Sequence, residues 1–178
     1  MVIRYLQGDM KTVYIVRHAK SSWDISGIPD EERPLLEKGK KRTKKIIDFL
    51  HQQNISVDYI ISSHAVRALE TAKILAHALN YPKDRIKVDP HIYFANGNSI
   101  FNLFYDLPDQ YHSVMIVGHN PTLTDFVNKY LRPRIDNLPT SGVVSISFET
   151  DQWEKIPLSE HSINFTVFPK ELTGTNKS

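Results

Sequence analysis

Thr12-Val13-Tyr14-Ile15-Val16-Arg17-His18-Ala19-Lys20-Ser21-Ser22-Trp23 is the stretch whose reading decides the fold. Thr12 to Val16 are β-branched or aromatic at every position and carry no charge, which is the pattern of a buried strand. That strand delivers Arg17 and His18 at its carboxyl end. In an open α/β sheet, ligands bind in the crevice beyond the carboxyl ends of the strands. A neutral imidazole is a competent phosphoryl nucleophile, and a guanidinium grips phosphoryl oxygens in its planar fork. An Arg-His pair alone is a short motif, and its weight depends on whether the rest of the chain repeats the theme.

Moving outward, Asp24 to Pro34 is polar and turn-rich, punctuated by Gly27 and Pro29. A helix is predicted from near Pro34 to Asn54, with Gly39, Thr43, Ile46, Ile47 and Leu50 on one stripe. Gly39 within that stripe predicts a close approach to the sheet. Val57 to Ser62 reads as a second strand, followed by a helix with Ala65, Ala68, Leu69, Ala72, Leu75, Ala76 and Leu79 on one face. Ile86 to Tyr93 is expected to be a third strand, interrupted by Pro90. Ser99 to Leu107 reads as a short helix, Ser113 to Val117 as a fourth strand, and Thr122 to Leu131 as a helix. After these, Val143 to Phe148, Trp153 to Ile156 and Ile163 to Phe168 read as strands without helices between them, so antiparallel strands are added to a parallel core. The expected architecture is α/β, a three-layer α/β/α sandwich with a mostly parallel sheet, in a single domain over 1–178.

The composition narrows the chemistry. With 178 residues, 40% of them hydrophobic and a net charge of +2, the chain builds a substantial core and projects no large field toward nucleic acid or anionic membrane. The basic cluster Lys38 to Lys45 reads as the solvated face of a helix. There is no cysteine, which excludes disulfides, thiolate nucleophiles and Cys-based zinc sites. No apolar run is long enough to cross a bilayer and residues 1–10 lack a signal-peptide core, so a cytoplasmic location is expected. Met10-Lys11, directly before the first strand, reads as a natural start, with residues 1–9 as an upstream extension.

Three strand ends carry candidate chemistry. The first gives Arg17 and His18. The second gives Ser62-Ser63-His64-Ala65-Val66-Arg67, with Arg67 in the first turn of a helix, beside free backbone N–H groups. The fourth gives His119, again between a strand and a helix. If the parallel strands are neighbours, all three loops open on one crevice. His64, His77, His91, His112 and His161 are read as ordinary histidines.

These residues carry a family resemblance. Val16-Arg17-His18-Ala19 resembles the Arg-His-Gly signature of the histidine phosphatase (phosphoglycerate mutase-like) superfamily, Ser63 through Ala72 resembles its second block, and Gly118-His119-Asn120-Pro121 its late histidine. Arg33-Pro34-Leu35 with Gly39 resembles its usual helix opening. Ala19, the tail Lys20-Ser21-Ser22-Trp23 and the small size resemble the SixA-type phosphohistidine phosphatases. The matching blocks run from about Thr12 to Phe148.

The resemblance implies a phosphoglycerate mutase-like fold, His18 as a nucleophile that becomes covalently phosphorylated, and a phosphate pocket of Arg17, Arg67 and His119. Ser21 matches the signature and is a candidate phosphate contact. It also implies no metal and no cofactor, in keeping with a sequence that has no P-loop and no helical His-x-x-x-His pair. His18 has to be neutral to attack, and neighbouring arginines disfavour its cation. His119 serves better as a hydrogen-bond donor.

Two departures shape the substrate expectation. Tyr93 to Ser99, where many relatives place a proton-donating acid, holds no Asp or Glu. Losing a positioned acid forfeits about 10²–10⁴ in rate for an alkoxide leaving group, while an imidazole leaving phosphorus needs less help. The chain also has no insertion to lid the pocket, which suits a phosphohistidine presented on a protein surface. Asp24, Asp30, Glu31 or Glu32 could reach in from the first loop, and Asp24 stands where many relatives have Asn. The expected partner is a phosphohistidine protein or a small phosphorylated substrate. The alternatives are a small-molecule phosphomonoesterase and a phosphate-binding module without turnover; little spare basic surface argues against a mutase.

Overall fold

The first strand among the described residues forms the middle of the sheet. The computed structural model describes residues 10–23, 26–94 and 96–173. Its strands are β1 (Lys11–Arg17), β2 (Tyr59–Ser62), β3 (Lys87–Val88), β4 (Ser113–Gly118), β5 (Val143–Phe148) and β6 (His161–Val167), in the order β3-β2-β4-β1-β5-β6. β3, β2, β4 and β1 run parallel, and β5 and β6 continue the sheet antiparallel. The expectation of a parallel core with antiparallel C-terminal strands holds.

The period of two along β1 divides the core. Val13 and Ile15 face one side, Tyr14 and Val16 the other. On the Tyr14 side lie α1 (Glu37–Gln52) and α2 (Val66–Ala78), packing Ile46, Leu50, Ala68, Ala72 and Leu75 against the strands. On the Val13 side lie one-turn helices α3 (His91–Phe94) and α4 (Asn102–Tyr105), the short α5 (Thr122–Val127) and a 3-10 stretch over Trp153–Leu158. Three layers result. Both long helices are followed by an asparagine, Asn54 (φ 53°) and Asn80 (φ 56°), in the left-handed region that closes a helix. The basic run on α1 is solvated and partly neutralised by Lys40–Glu37 and Lys44–Asp48 pairs.

Several elements differ from the sequence reading. Trp153 to Ile156 is a 3-10 turn, not a strand. Its buried residues Trp153 and Ile156 stand at i and i+3, the repeat of a tight helix rather than a pleat. The Trp153 indole N–H donates to the Tyr111 carbonyl at 3.0 Å and its ring stacks on Phe104. The third strand shrinks to Lys87–Val88, because Pro90 ends it and Asp89 accepts the His91 N–H to start a helical turn instead. The final strand is His161–Val167, two residues earlier at its start than expected.

α1 begins at Glu37, since Pro34 to Leu36 are occupied elsewhere. Leu36 N–H donates to Lys20, Ser22 N–H donates to Pro34, and Ser21 bridges Leu35. Gly39 does mark a close approach, but to the Lys20 backbone and not to a strand. A Cβ at Gly39 would lie 2.4 Å from the Lys20 carbonyl oxygen. Alanine improves helix propensity by up to about 1 kcal/mol, and overpacking against rigid backbone costs about 1–3 kcal/mol. Gly39→Ala is therefore expected to destabilise the fold by about 1–2 kcal/mol in urea unfolding. A stabilised variant would contradict the packing of α1 on the loop after β1.

Candidate active site

The sheet order places β2, β4 and β1 side by side, so their carboxyl ends share one edge. Backbone bonds lock the three loops together at that edge. His18 N–H donates to Gly118 at 3.0 Å, Ser63 N–H to Val117 at 3.0 Å, and Ser141 N–H to both Arg17 and His18. Ser141 is a buried non-glycine residue at φ 61°, and its hydroxyl shares a bond with Thr43 of α1 at 2.9 Å. Such a conformation persists only where the surroundings over-determine it.

His18 stands at this edge, 8% exposed. Its Nδ1 sits 2.7 Å from the Ala19 carbonyl oxygen. A carbonyl only accepts, so Nδ1 carries the hydrogen and the lone pair of the neutral ring is on Nε2. Burial, followed by the positive charges of Arg67, Arg17 and Arg33, holds the His18 pKa down to about 3 although the Ala19 bond opposes this. Ala19 itself is fully buried and fixed by a bond from its N–H to Thr71 Oγ1 at 2.9 Å.

The other three predicted residues surround it. The His119 ring is 5.1 Å from the His18 ring, centroid to centroid. Its Nε2 is 2.8 Å from Ser63 Oγ, which accepts the Ala65 N–H. The arrangement that uses every group has the Ser63 hydroxyl donating to Nε2, which leaves the ring proton on Nδ1. Burial, then His18 and Arg67, hold His119 to about 3 as well. Arg17 is anchored through Nη1 on the Leu138 carbonyl at 2.9 Å, and Arg67 through both Nη atoms on Asp30. Arg17 Nε, Arg67 Nε and His119 Nδ1 are buried without a hydrogen-bond partner. Buried donors are rarely left so, and a set from three strand ends is what a tetrahedral oxyanion would satisfy.

Ser21 is buried, four residues beyond Arg17, and its backbone bridges Leu35. Asp24 lies outside the described residues. Of the other first-loop acids, Asp30 reaches the site. Its carboxylate accepts from Arg67 Nη2 at 2.8 Å and from the Tyr93 hydroxyl, and pairs with Arg33. Against the burial that opposes ionisation, the bonds from Tyr93 and Arg67 hold the Asp30 pKa at about 2. The sequence gives Arg33 only as part of a helix opening and His64 as an ordinary histidine, and it assigns Tyr93 no role, yet all three stand at the site. Tyr93 packs on His64 at 5.2 Å and on His119 at 5.3 Å, which makes it a wall of the crevice. Among the described residues no group of three His, Asp or Glu side chains is placed to hold a metal, and no helix is long and apolar enough to cross a membrane.

Residues 13–92 match the model of the histidine phosphatase superfamily (branch 1). A solved structure of the protein histidine phosphatase SixA complexed with tungstate superposes with a TM-score of 0.75 at 21% identity, covering 91% of this chain and 99% of that one. A mycobacterial glucosyl-3-phosphoglycerate phosphatase superposes with a TM-score of 0.64 at 13% identity, over 87% and 97%. At such identities these likenesses speak for the fold. Among curated proteins, the mitochondrial serine/threonine-protein phosphatase Pgam5 of Drosophila grimshawi is 23% identical over 86% of this chain. The chain spans only 57% of that relative's length.

The depressed pKa values of both imidazoles give a direct test. From about pH 8 to pH 5 neither His18 nor His119 is expected to titrate, since protonation is confined to lower pH. Ring-nitrogen NMR shifts of the two residues should stay constant over that range. An inflection near pH 6.5 in either would contradict the desolvated site.

Proposed function

We propose that this chain, a member of the histidine phosphatase superfamily, is a phosphatase that works through a phosphohistidine on His18 and acts on phosphohistidine carried by proteins. The observation that carries the reading is the His18 tautomer: Nδ1–H is committed to Ala19, so the lone pair is on Nε2, and the neighbouring Arg17, Arg67 and His119 hold buried donors without a partner.

In the first step the Nε2 lone pair attacks phosphorus and the bond from phosphorus to the leaving atom breaks, its electron pair returning to that atom. Arg17, Arg67 and His119 Nδ1 stabilise charge on the equatorial oxygens as it develops. In the second step water attacks the same phosphorus, its proton passes to solvent, and the phosphorus–nitrogen bond electrons return to Nε2. Inorganic phosphate leaves and the neutral ring is restored. Burial lowers the cost of neither anion nor cation alone, and it is the fixed guanidiniums that replace the water the phosphoryl group gives up.

Two features support the nitrogen-linked substrate. The acid that reaches the site is Asp30, and with a pKa of about 2 it is ionised at neutral pH and holds no proton to give an alkoxide. The mouth is flanked by exposed aromatic groups: Trp23, 75% exposed over the Arg33 guanidinium at 3.9 Å, and Phe94, 82% exposed against Tyr93. Aromatic residues standing out of a surface are the type that anchors protein partners. The phosphomonoesterase reading needs an acid from the first loop, and the ionised state of Asp30 weighs against it. A binding module has no use for a nucleophile held in one tautomer.

Expected results are these. His18→Ala abolishes turnover with an unchanged circular dichroism spectrum, and more than a few per cent residual activity would remove the covalent mechanism. Chelators leave the rate unchanged; loss restored by a divalent ion would contradict a pocket built of guanidinium and imidazole groups. Phosphohistidine and activated aryl phosphates are turned over faster than sugar phosphates by about 10²–10⁴ in kcat/KM. Efficient sugar-phosphate hydrolysis would overturn the phosphohistidine reading.

A further inference from the structure

Phosphate binding alone does not explain the carboxylate at the mouth of the site. A phosphoryl group and Asp30 are both anions, and both engage Arg67. Asp30 accepts Arg67 Nη2 and the Tyr93 hydroxyl on Oδ2 and faces Arg33 on Oδ1, while its backbone carbonyl accepts Arg67 Nη1 and Arg33 Nε. An ionised carboxylate has about four lone-pair positions, so these three donors leave one unused. The side chain is 48% exposed, and the unused position is open to whatever enters from solvent.

The place of Asp30 relative to the nucleophile matters as much as its charge. Phosphoryl transfer sets the attacking and leaving atoms roughly in line. His18 is buried and its ring lies 5.1 Å from His119, which lies 5.3 Å from Tyr93, whose hydroxyl donates to the half-exposed Asp30, so a group leaving opposite His18 departs toward the solvent side. The acidic side chain that stands there among the described residues is Asp30.

We propose that Asp30 is a specificity-determining residue that accepts a hydrogen bond from the protonated distal nitrogen of a departing imidazole, so that the site favours phosphoryl groups carried on nitrogen over those carried on oxygen. The proposal rests on the phosphatase reading given above. In the step, the substrate imidazole enters with a proton on its distal nitrogen and phosphorus on the other. The Nε2–P bond forms on His18, the substrate N–P bond breaks, and its electron pair stays on the substrate nitrogen. The ring departs as neutral imidazole, its distal proton still hydrogen-bonded to Asp30. No external acid or oxidant is needed. An ester substrate meets the opposite situation, because its leaving oxygen gathers negative charge in front of a carboxylate. One charge thus attracts one class and repels the other.

The groups facing Asp30 come from three directions: Arg33 on its own turn, Arg67 on α2 and Tyr93 on α3, with His119, His18 and His64 deeper. Arg33 and Arg67 keep the carboxylate charged over the working range, so a pH effect on the reaction reports the substrate ring.

Asp30→Asn keeps the size and an acceptor for Arg67 but removes the charge, and Asp30→Glu restores it. Both variants are to be compared with the full chain on free phosphohistidine and on para-nitrophenyl phosphate, with folding checked by circular dichroism. For Asp30→Asn, kcat on phosphohistidine is expected to fall about tenfold to a hundredfold, the span of a hydrogen bond to a charged group. Its rate on para-nitrophenyl phosphate is expected to fall by less, because both substrates share the loss of the counter-charge of Arg67 while only phosphohistidine also loses an acceptor, and Asp30→Glu should recover most of the phosphohistidine rate. The alkaline limb on phosphohistidine should move to lower pH in Asp30→Asn, because the ring proton loses its acceptor. Equal falls on both substrates would overturn the assignment and leave Asp30 as a prop for Arg67. A selective loss on para-nitrophenyl phosphate would overturn it in favour of a general acid. A wild-type chain that forms phosphorylated His18 from para-nitrophenyl phosphate yet leaves phosphohistidine untouched would overturn the substrate reading, and the assignment with it.

Discussion

Like-charge crowding around one imidazole is the constraint on which this structure turns. Arg17, Arg33 and Arg67 all bear on His18, and each disfavours its protonation. Two unit positive charges about 6 Å apart repel by roughly 3 kcal/mol at an effective dielectric of 20. Such a cluster is stable only if something negative or polar answers it. At rest the answer comes from the Leu138 carbonyl for Arg17 and from Asp30 for Arg33 and Arg67. The first loop is therefore more than a connection. It carries the counter-charge that lets the arginines gather at all, and it folds back along Pro34–Leu36 to deliver it.

The same crowding sets the protonation pattern of the site. A histidine in water is half cationic near pH 6.5, and a cationic ring cannot attack phosphorus. Desolvation and the neighbouring guanidiniums remove the cation, and the Ala19 carbonyl then chooses which nitrogen keeps the hydrogen. In the proposed reaction no strong base is required. The cost falls on stability at low pH. Both His18 and His119 have folded pKa values below the unfolded value of about 6.5, so protonation favours the unfolded chain, and the stability they allow at neutral pH is lost as pH falls from there toward 3.

Much of this was legible in the sequence wherever a local pattern carried it. The alternation in β1, the continuous burial of β4 and β5, and the strand–turn–helix positions of His18, Arg67 and His119 are all local, and the structure brings those residues together. The failures have a common cause. Trp153 has the propensity of a strand residue, but its indole N–H bond and its stacking on Phe104 favour a tight turn, and only the i, i+3 spacing of Trp153 and Ile156 hints at that. Asp30 meets Arg67 across 37 residues and Tyr93 across 63. No local pattern announces a contact of that kind. Arg33 was visible as part of Arg-Pro-Leu, yet nothing in the spelling says that its guanidinium lies buried beneath Trp23.

The place of β1 at the centre of the sheet also governs how the chain is made. Its two neighbours, β4 and β5, lie in the second half of the sequence. At 5–20 residues per second on the ribosome, β1 waits roughly 5–20 s for its first partner strand. For that interval five apolar or β-branched residues in a row stand unpaired, the kind of segment that recruits other nascent chains. Lys11 and Arg17 bracket it, and charged residues at the ends of such a segment act as gatekeepers against that recruitment. Arg17 thus guards the strand before the sheet exists and joins the site once it has closed, and any replacement at this position is under two selections at two moments in the life of the molecule.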